Sequence, residues 1–418
     1  MMKYLLQVVQ NSLSAAIILA LVFALLYNGK GAGANQKKWI AAGSLAGSVF
    51  ALTLAFLKST TVLINREYWN IGILSVSVIA GIVFIMFLWG FLKNRRPKLY
   101  NVLLYSSGAV FCGTLLFYTL PDIFLYPAEF LMMGESAFST DFLFKLIGYA
   151  AGLLLVFLAG LSLFKAGISL PAKTHMALLT IGIGVNAVNQ ILKVTQSLYA
   201  QRVIPTSRFL FNILKQAVNY NDYFLYLIMA VTFMIPVFLW IKNYTPKGPY
   251  ANPAEHRKFK AALRRKRRWS AAVVFCYILA VLCLTVVKTY EAREVVLSPV
   301  EPMNITGGEI TIPSANINDG HLHRFMYTAS DGTEVRFIVI KKNETAYGVG
   351  LDACDICGPT GYYERKDEVI CKLCDVVMNK STIGFKGGCN PVPLAYTMEN
   401  GNMVIQTAHL EKEKGRFR

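Results

Sequence analysis

The stretch "HRKFKAALRRKRRWSAAVVFCYILAVLCLTVV", from His256 to Val287, sets thirteen residues crowded with lysine and arginine against nineteen that carry no charged side chain. An α-helix needs roughly 20 apolar residues to cross a bilayer, and basic clusters beside such helices mark the cytoplasmic side. Seven further runs of the same kind precede it, at about Leu5–Tyr27, Trp39–Leu57, Ile71–Leu92, Leu99–Leu120, Leu146–Phe164, His175–Leu192 and Tyr223–Ile241, none with Asp, Glu, Lys or Arg. The five tryptophans, Trp39, Trp69, Trp89, Trp240 and Trp269, fall at or near run ends, where an amphipathic ring sits at headgroup level. Of 418 residues 55% are apolar and 16% charged, against about 25% charged in soluble domains.

The first run is diluted by Gln7, Gln10, Asn11, Ser12 and Ser14 and follows a basic residue, Lys3, as a signal peptide would. Its apolar part exceeds the roughly 7–15 residues of a secretory signal, and no good cleavage site follows. It is read as a retained helix.

Charge gives the orientation. Connections between helices one and two, three and four, five and six, and seven and eight hold 19 basic residues, and the opposite side holds 8. By the positive-inside rule the N-terminus and everything after Val287 lie outside the cytoplasm. The net charge of +18 belongs to the membrane half, since residues from Lys288 onward hold 15 basic and 17 acidic side chains. The basic excess is thus a topology signal, with membrane lipid as its expected partner and no nucleic acid.

Residues 288–304 read as a linker and 305–418 as a small domain. Alternation in "GEITIPS", "HRFMYTA", "EVRFIVIKK" and "TAYGVGLDA", with turn signals such as "NDG" and "SDGT" between, predicts antiparallel strands. The fold class is therefore a polytopic α-helical membrane protein, residues 1–287 with about eight transmembrane helices, followed by a C-terminal extracytoplasmic β-rich domain that binds metal through cysteine.

Five cysteines, Cys354, Cys357, Cys371, Cys374 and Cys389, lie within 36 residues in the order C-x2-C, C-x2-C, C. Two C-x2-C turns facing each other make a tetrahedral S4 site for zinc or iron. Gly358 permits the positive φ such a turn often needs, and Gly387 and Gly388 suggest a close backbone approach before Cys389. Disulfides are normal outside the cytoplasm, but five is an odd number and a bond across each C-x2-C would cross-link little. A structural zinc ribbon needs four ligands and suits the paired spacing. Neither common ferredoxin spacing is present, so the spacing points to a metal and leaves the metal open. Cys112, Cys276 and Cys283 lie in apolar helices and read as packing residues.

The segments "HRFMY", "VRFIVIKK", "LDACDICGPTGYY", "VICKLCDVVMN" and "TIGFKGGCNPVPL" together resemble the membrane iron-sulfur family typified by FtrD, a ferredoxin-like component of bacterial ferrous-iron uptake. The resemblance covers about Gly308–Ile405, with the helical part agreeing in general plan. It implies an iron-sulfur cluster held by the five cysteines, with mononuclear zinc or iron as the alternative. It also implies an electron-transfer component of the cell membrane rather than a stand-alone enzyme, acting beside an iron permease and a periplasmic iron-binding protein.

Histidines replace cysteines at one iron in Rieske centres, and His323 in "GHLHRF" is the best candidate here, with His321 beside it. On the sixth helix His175, Gly182, Asn186, Asn189 and Lys193 recur at helical spacing, a polar face inside lipid. Helix–helix hydrogen bonding is favoured over an ion route for it. Asp122, Glu129, Glu135 and Asp141, between helices four and five, read as acids tolerated in an outward loop rather than as a cation entry site. No Ser/His/Asp set, HExxH or paired carboxylate cleft suggests hydrolysis. The runner-up is a membrane transporter or receptor carrying a structural zinc module without a redox role.

A reporter fused after Arg418 is expected to be active outside the cytoplasm, and one inserted near Lys258 inside it. The reverse pattern in a fusion assay would overturn the assigned orientation.

Overall fold

The computed structural model describes residues 2–28, 34–61, 66–130, 140–205, 207–242, 252–291, 296–343, 346–365, 368–374, 376–385 and 389–417, with backbone alone at 34, 66, 129 and 141. The chain divides into two compact units, Met1–Ala292 and Arg293–Arg418.

The first unit is helical: α1 (Met2–Tyr27), α2 (Ala34–Thr60), α3 (Arg66–Leu88), α4 (Pro97–Leu125), α5 (Thr140–Gly167), α6 (Ala172–Ala200), α7 (Arg208–Asn219), α8 (Asn221–Lys242) and α9 (Pro253–Leu282). A π turn, Cys283–Val287, carries α9 into α10 (Lys288–Glu291). Among the described residues eight helices are long and apolar enough to cross a membrane, as the apolar runs require. The helix carrying the eighth run continues past Val287 to Glu291.

Helix α7 departs from the sequence reading, which left its residues in a connection. It is amphipathic, buries only Leu214 and exposes Phe209 and Phe211, the pattern of a helix lying along an interface. Two of the polar residues that dilute α1 have a structural reason, because α1 is the most buried of the spans and Gln10 and Asn11 donate to Asp222 of α8 and to Tyr126 just past α4.

Helices α2 and α4 cross where Gly43 and Gly47 meet Ala109 and Gly113. A Cβ at Gly47 would stand 2.1 Å from the Gly113 carbonyl oxygen, so only glycine allows this approach, the small-residue packing usual between membrane helices. Cys112, Cys276 and Cys283 are buried in the bundle core.

The second unit contains β1 (Asn304–Thr306), β2 (Glu309–Pro313), β3 (His323–Thr328), β4 (Glu334–Lys341), β5 (Tyr347–Leu351), β6 (Tyr362–Arg365), β7 (Glu368–Cys371), β8 (Val377–Met378), β9 (Thr397–Glu399), β10 (Asn402–Gln406) and α11 (Thr407–Glu413). Its described strands form three sheets, ordered β1-β2-β10-β9, β3-β4-β5 and β6-β7-β8, and every pairing is antiparallel.

The middle sheet is covered on both faces. Phe325, Val335, Phe337, Val339 and Leu351 pack with Ile310, Ile312, Met403 and Ile405 of the first sheet. Ile338 and Ile340 pack on the other side with Tyr362, Val369, Cys354 and Cys371. Burial on both faces makes "FIVI" of β4 a continuous apolar run rather than a simple alternation, as in any strand without a solvent face.

Arg324 of β3 and Asp352, just past β5, are buried, at 1% and 0% exposure. Arg324 Nε donates to Asp352 Oδ2 at 2.9 Å, Nη1 donates to the Ser298 carbonyl and hydroxyl oxygens at 2.7 Å, and Nη2 donates to the Tyr362 carbonyl. Asp352 Oδ1 accepts from the Tyr362 amide at 2.8 Å. Arg336 of β4 also stands 3.3 Å from Asp352 Oδ2, and the bonds of Arg324 and Asp352 to Tyr362 join the middle sheet to the start of β6, with Cys354 two residues from Asp352.

Removing one partner of a buried, hydrogen-bonded ion pair costs about 3–5 kcal/mol, because the other charge stays behind without compensation. Asp352→Asn is therefore expected to lower the unfolding free energy of the 293–418 unit by about that amount and to release its metal, read by urea unfolding and metal analysis.

Candidate metal centre

Each cysteine is placed by an identifiable local device. The first C-x2-C closes on itself: the Cys354 amide donates to the Gly358 carbonyl at 3.2 Å and the Gly358 amide to the Cys354 carbonyl at 3.1 Å. Gly358 has φ +69°, the left-handed conformation its position in the motif suggests. Inside that turn the Cys357 amide donates to Cys354 Sγ at 3.0 Å.

The second C-x2-C leaves the end of β7. Amides of Cys374 and Leu373 donate to the Cys371 sulfur, and the Val376 amide donates to that of Cys374. The two turns are joined by their backbones, since the Lys372 amide donates to the Gly361 carbonyl at 3.0 Å.

Cys389 arrives on a segment laid along the edge of β5. The Leu351 amide donates to the Val392 carbonyl at 2.7 Å, the Val392 amide to the Ala353 carbonyl at 3.0 Å, and the Leu394 amide to the Val349 carbonyl at 3.2 Å. Gly350 makes this possible, because a Cβ there would lie 2.8 Å from the Pro391 side chain. Tyr362 Oη donates to the Cys389 carbonyl at 2.6 Å. Gly387 and Gly388 lie outside the described residues.

The five sulfurs converge. Those of Cys354, Cys357 and Cys389 lie within 4.8 Å of one another, as do those of Cys357, Cys371 and Cys374. Cys374 and Cys389 bring the two sets together, with sulfurs 3.7 Å apart. Tetrahedral thiolate coordination at about 2.3 Å places sulfurs about 3.8 Å apart, so the donor set fits a thiolate-bound metal or cluster, and Cys357 belongs to both groups.

Burial raises the Cys357 thiol, with hydrogen bonds involving Cys374 and Cys371 adding to the rise. Burial likewise raises Cys371 and pushes Cys389 up to about 11. Burial acts upward on Cys374 too, but there the Val376 amide and hydrogen bonds from Cys371, Cys357 and Cys389 outweigh it and leave the thiol lowered.

His323 does not join the thiols. Its Nδ1 meets the Glu301 carboxylate at 2.9 Å and its Nε2 meets Asp319 Oδ1 at 2.8 Å, so both ring nitrogens are held by carboxylates. Neither thiol group includes it. His321 instead contacts Glu364 at 3.1 Å.

Sequence reasoning missed Arg324, Asp352, Gly350 and Tyr362, which hold the ligands rather than bind metal. The available signal was "YGVGL", where glycines two apart on a strand leave one face open to a close neighbour.

In the helical unit the polar face of α6 divides. His175 is locked between the carbonyls of Leu21 (2.9 Å) and Gly167 (3.2 Å), a helix–helix bridge, while Asn186, Asn189 and Lys193 line a cavity with α1, α4 and α8. Asp122 belongs to that cavity and not to a loop, because α4 continues through Pro121 to Leu125. Glu135, with the side chains of Glu129 and Asp141, lies outside the described residues.

These features define a class: a multi-pass membrane protein with a separate β-rich unit assembled around cysteine ligands. The family described as "Membrane iron-sulfur containing protein FtrD-like" matches residues 317–417, the segment whose motifs resemble it. No curated protein matches the chain. No solved structure matches it.

Metal binds thiolates, so loading must displace protons from the raised thiols. Adding Fe(II) or Zn(II) to the metal-free 293–418 unit in dilute buffer at neutral pH is expected to release protons, those of the raised thiols Cys357, Cys371 and Cys389 among them. Affinity should rise with pH and fall on acidification, read with a pH indicator and a competing chelator.

Proposed function

We propose that the β-rich unit is an electron-transfer module at the outer face of the cell membrane, holding an iron-sulfur cluster on Cys354, Cys357, Cys371, Cys374 and Cys389 and serving iron uptake. The observation that carries this reading is an exposed edge on a partly buried site. Cys354 and Cys371 are buried and Cys374 is exposed, and the exposed apolar side chains of Ile356, Leu373 and Phe385 flank the ligand turns in sequence. A metal needed only for folding gains nothing from such an opening, whereas a redox partner must come close. Apolar surface beside the opening is the kind of patch that partners cover.

When bound, the cluster supplies one-electron chemistry at a potential set by exposure and by hydrogen bonds to its sulfurs. The chain supplies those bonds from the amides of Cys357, Leu373, Cys374 and Val376. An iron permease and a periplasmic iron-binding protein are the partners this reading names, with iron oxidation state as the link.

Anaerobically purified full-length protein is expected to show visible absorption that bleaches on reduction and is lost in Cys371→Ser, and cells carrying that variant should accumulate less iron when ferrous iron is scarce. A colourless protein containing zinc, or unchanged iron accumulation, would replace this reading with a structural zinc module.

A further inference from the structure

Although α1 is the most buried span, a groove of about 520 Å³ opens onto it between α4 and α5. Apart from Ser12, Thr119 and Tyr27 its lining is apolar. The small side chains of Ala15 and Ala20 on α1 are buried at its bottom, while Phe157 of α5 is exposed at its rim. Small residues below and large ones beside them make a slot, where the uniform packing of a helix pair would leave none.

Size narrows what fills it. A cavity that takes up benzene measures about 150 Å³, so this one admits a larger guest. On α1 the lining runs from Ser12 to Tyr27, about 22 Å at 1.5 Å per residue. One leaflet supplies half of a hydrocarbon core roughly 30 Å thick. The slot is therefore long enough for an acyl chain that lies from headgroup level to the middle of the bilayer.

Charge narrows it further. Tyr27 and Phe164 mark the end of the groove where α1 and α5 finish, with ring centroids 5.8 Å apart. Each ring holds an ammonium group: Lys37 Nζ of α2 lies 4.4 Å from the Tyr27 centroid, and Lys165 Nζ of α5 lies 5.4 Å from that of Phe164. Among the described residues neither lysine pairs with a carboxylate. A ring face attracts a cation without neutralising it, so two positive charges stand at one end of an apolar slot.

That combination calls for an amphiphile with an anionic head. An uncharged isoprenoid quinone would fill the slot and leave both ammonium groups unanswered. Copies of a membrane protein share one orientation, so a second copy seated here would bring its own Lys37 and Lys165 level with these. Juxtamembrane lysines attract anionic headgroups, and in the expected topology this end faces the cytoplasmic leaflet, which is the anionic one. We propose that the groove between α1, α4 and α5 binds one anionic phospholipid, with an acyl chain laid along α1 and the phosphate held by Lys37 and Lys165.

The test is native mass spectrometry of the detergent-solubilised full-length protein, titrated with phosphatidylglycerol or with phosphatidylcholine of the same acyl chains. One phosphatidylglycerol is expected to bind about tenfold more tightly than phosphatidylcholine, the preference that two lysines near a headgroup supply. Lys37→Gln/Lys165→Gln should abolish that preference and keep the weaker binding common to both lipids. Ala16→Leu, which fills the slot and is shown folded by circular dichroism, should weaken both. Equal affinity of the wild type for the two lipids, or a preference that survives in the double lysine variant, would overturn the headgroup site. A co-purifying quinone that phosphatidylglycerol fails to displace would overturn the choice of occupant. The cysteines play no part in this measurement, so its outcome is independent of the electron-transfer reading.

Discussion

Arg324 and Asp352 meet where the middle sheet of the β-rich unit touches the β6–β8 sheet, and the metal ligands are hung from that contact. A buried ion pair adds little net stability, because removing two charges from water offsets most of their attraction. Its value lies in selection. Arg324 satisfies Asp352, Ser298 and the Tyr362 carbonyl together only with β3, β4 and β5 in one register. A one-residue slip would turn every side chain of a strand to the opposite face and strand a guanidinium in the core. With the register fixed, Cys354 follows Asp352 by two residues, and Tyr362, held by the same carboxylate, reaches the Cys389 carbonyl.

The helical unit works under a different constraint. Lipid offers no hydrogen bonds, so polar side chains must find partners on other helices or in enclosed water. His175 takes the first course with two backbone carbonyls, while Asn186 and Gln190 line a small polar cavity shared with α1, α4 and α8. That division gives the polar stripe on α6 two different surroundings, and the polar residues that dilute the start of α1 likewise sit in the most buried of the spans. Hydropathy measures mean affinity for lipid, and α1 is largely shielded from lipid by other helices.

Much of the architecture was legible in the sequence because its signals are local. Eight apolar runs, the strands β2 to β5 and the two C-x2-C turns each carry their own pattern, and Gly358 announces its turn. The supporting shell was hidden because its signals are relational. Arg324 in "HRFMY" looks like an exposed strand residue until Asp352 is known to face it, and His323 beside it looks like a ligand until Glu301 and Asp319 are known to hold both its nitrogens. Asp122 was assigned to a loop because its apolar run ends at Leu120, although the backbone of α4 continues beyond it. Helix α7 escaped because a twelve-residue amphipathic helix has too low a mean hydropathy to stand out among spans.

The thiols also differ among themselves in a way that bears on chemistry. Cys354 and Cys371 sit among Ile338, Ile340 and Val369, where water is scarce, and Cys374 sits at the surface. A bound metal is therefore solvated unevenly, low in dielectric on the side of the middle sheet and open at Cys374. Burial disfavours added charge and amide hydrogen bonds favour it, so the amides of Leu373, Cys374 and Val376 act against the apolar wall behind them. In the proposed electron-transfer role, that opposition would set the potential of a bound cluster, and covering the exposed Leu373 and Phe385 would exclude water from the Cys374 side and alter the balance.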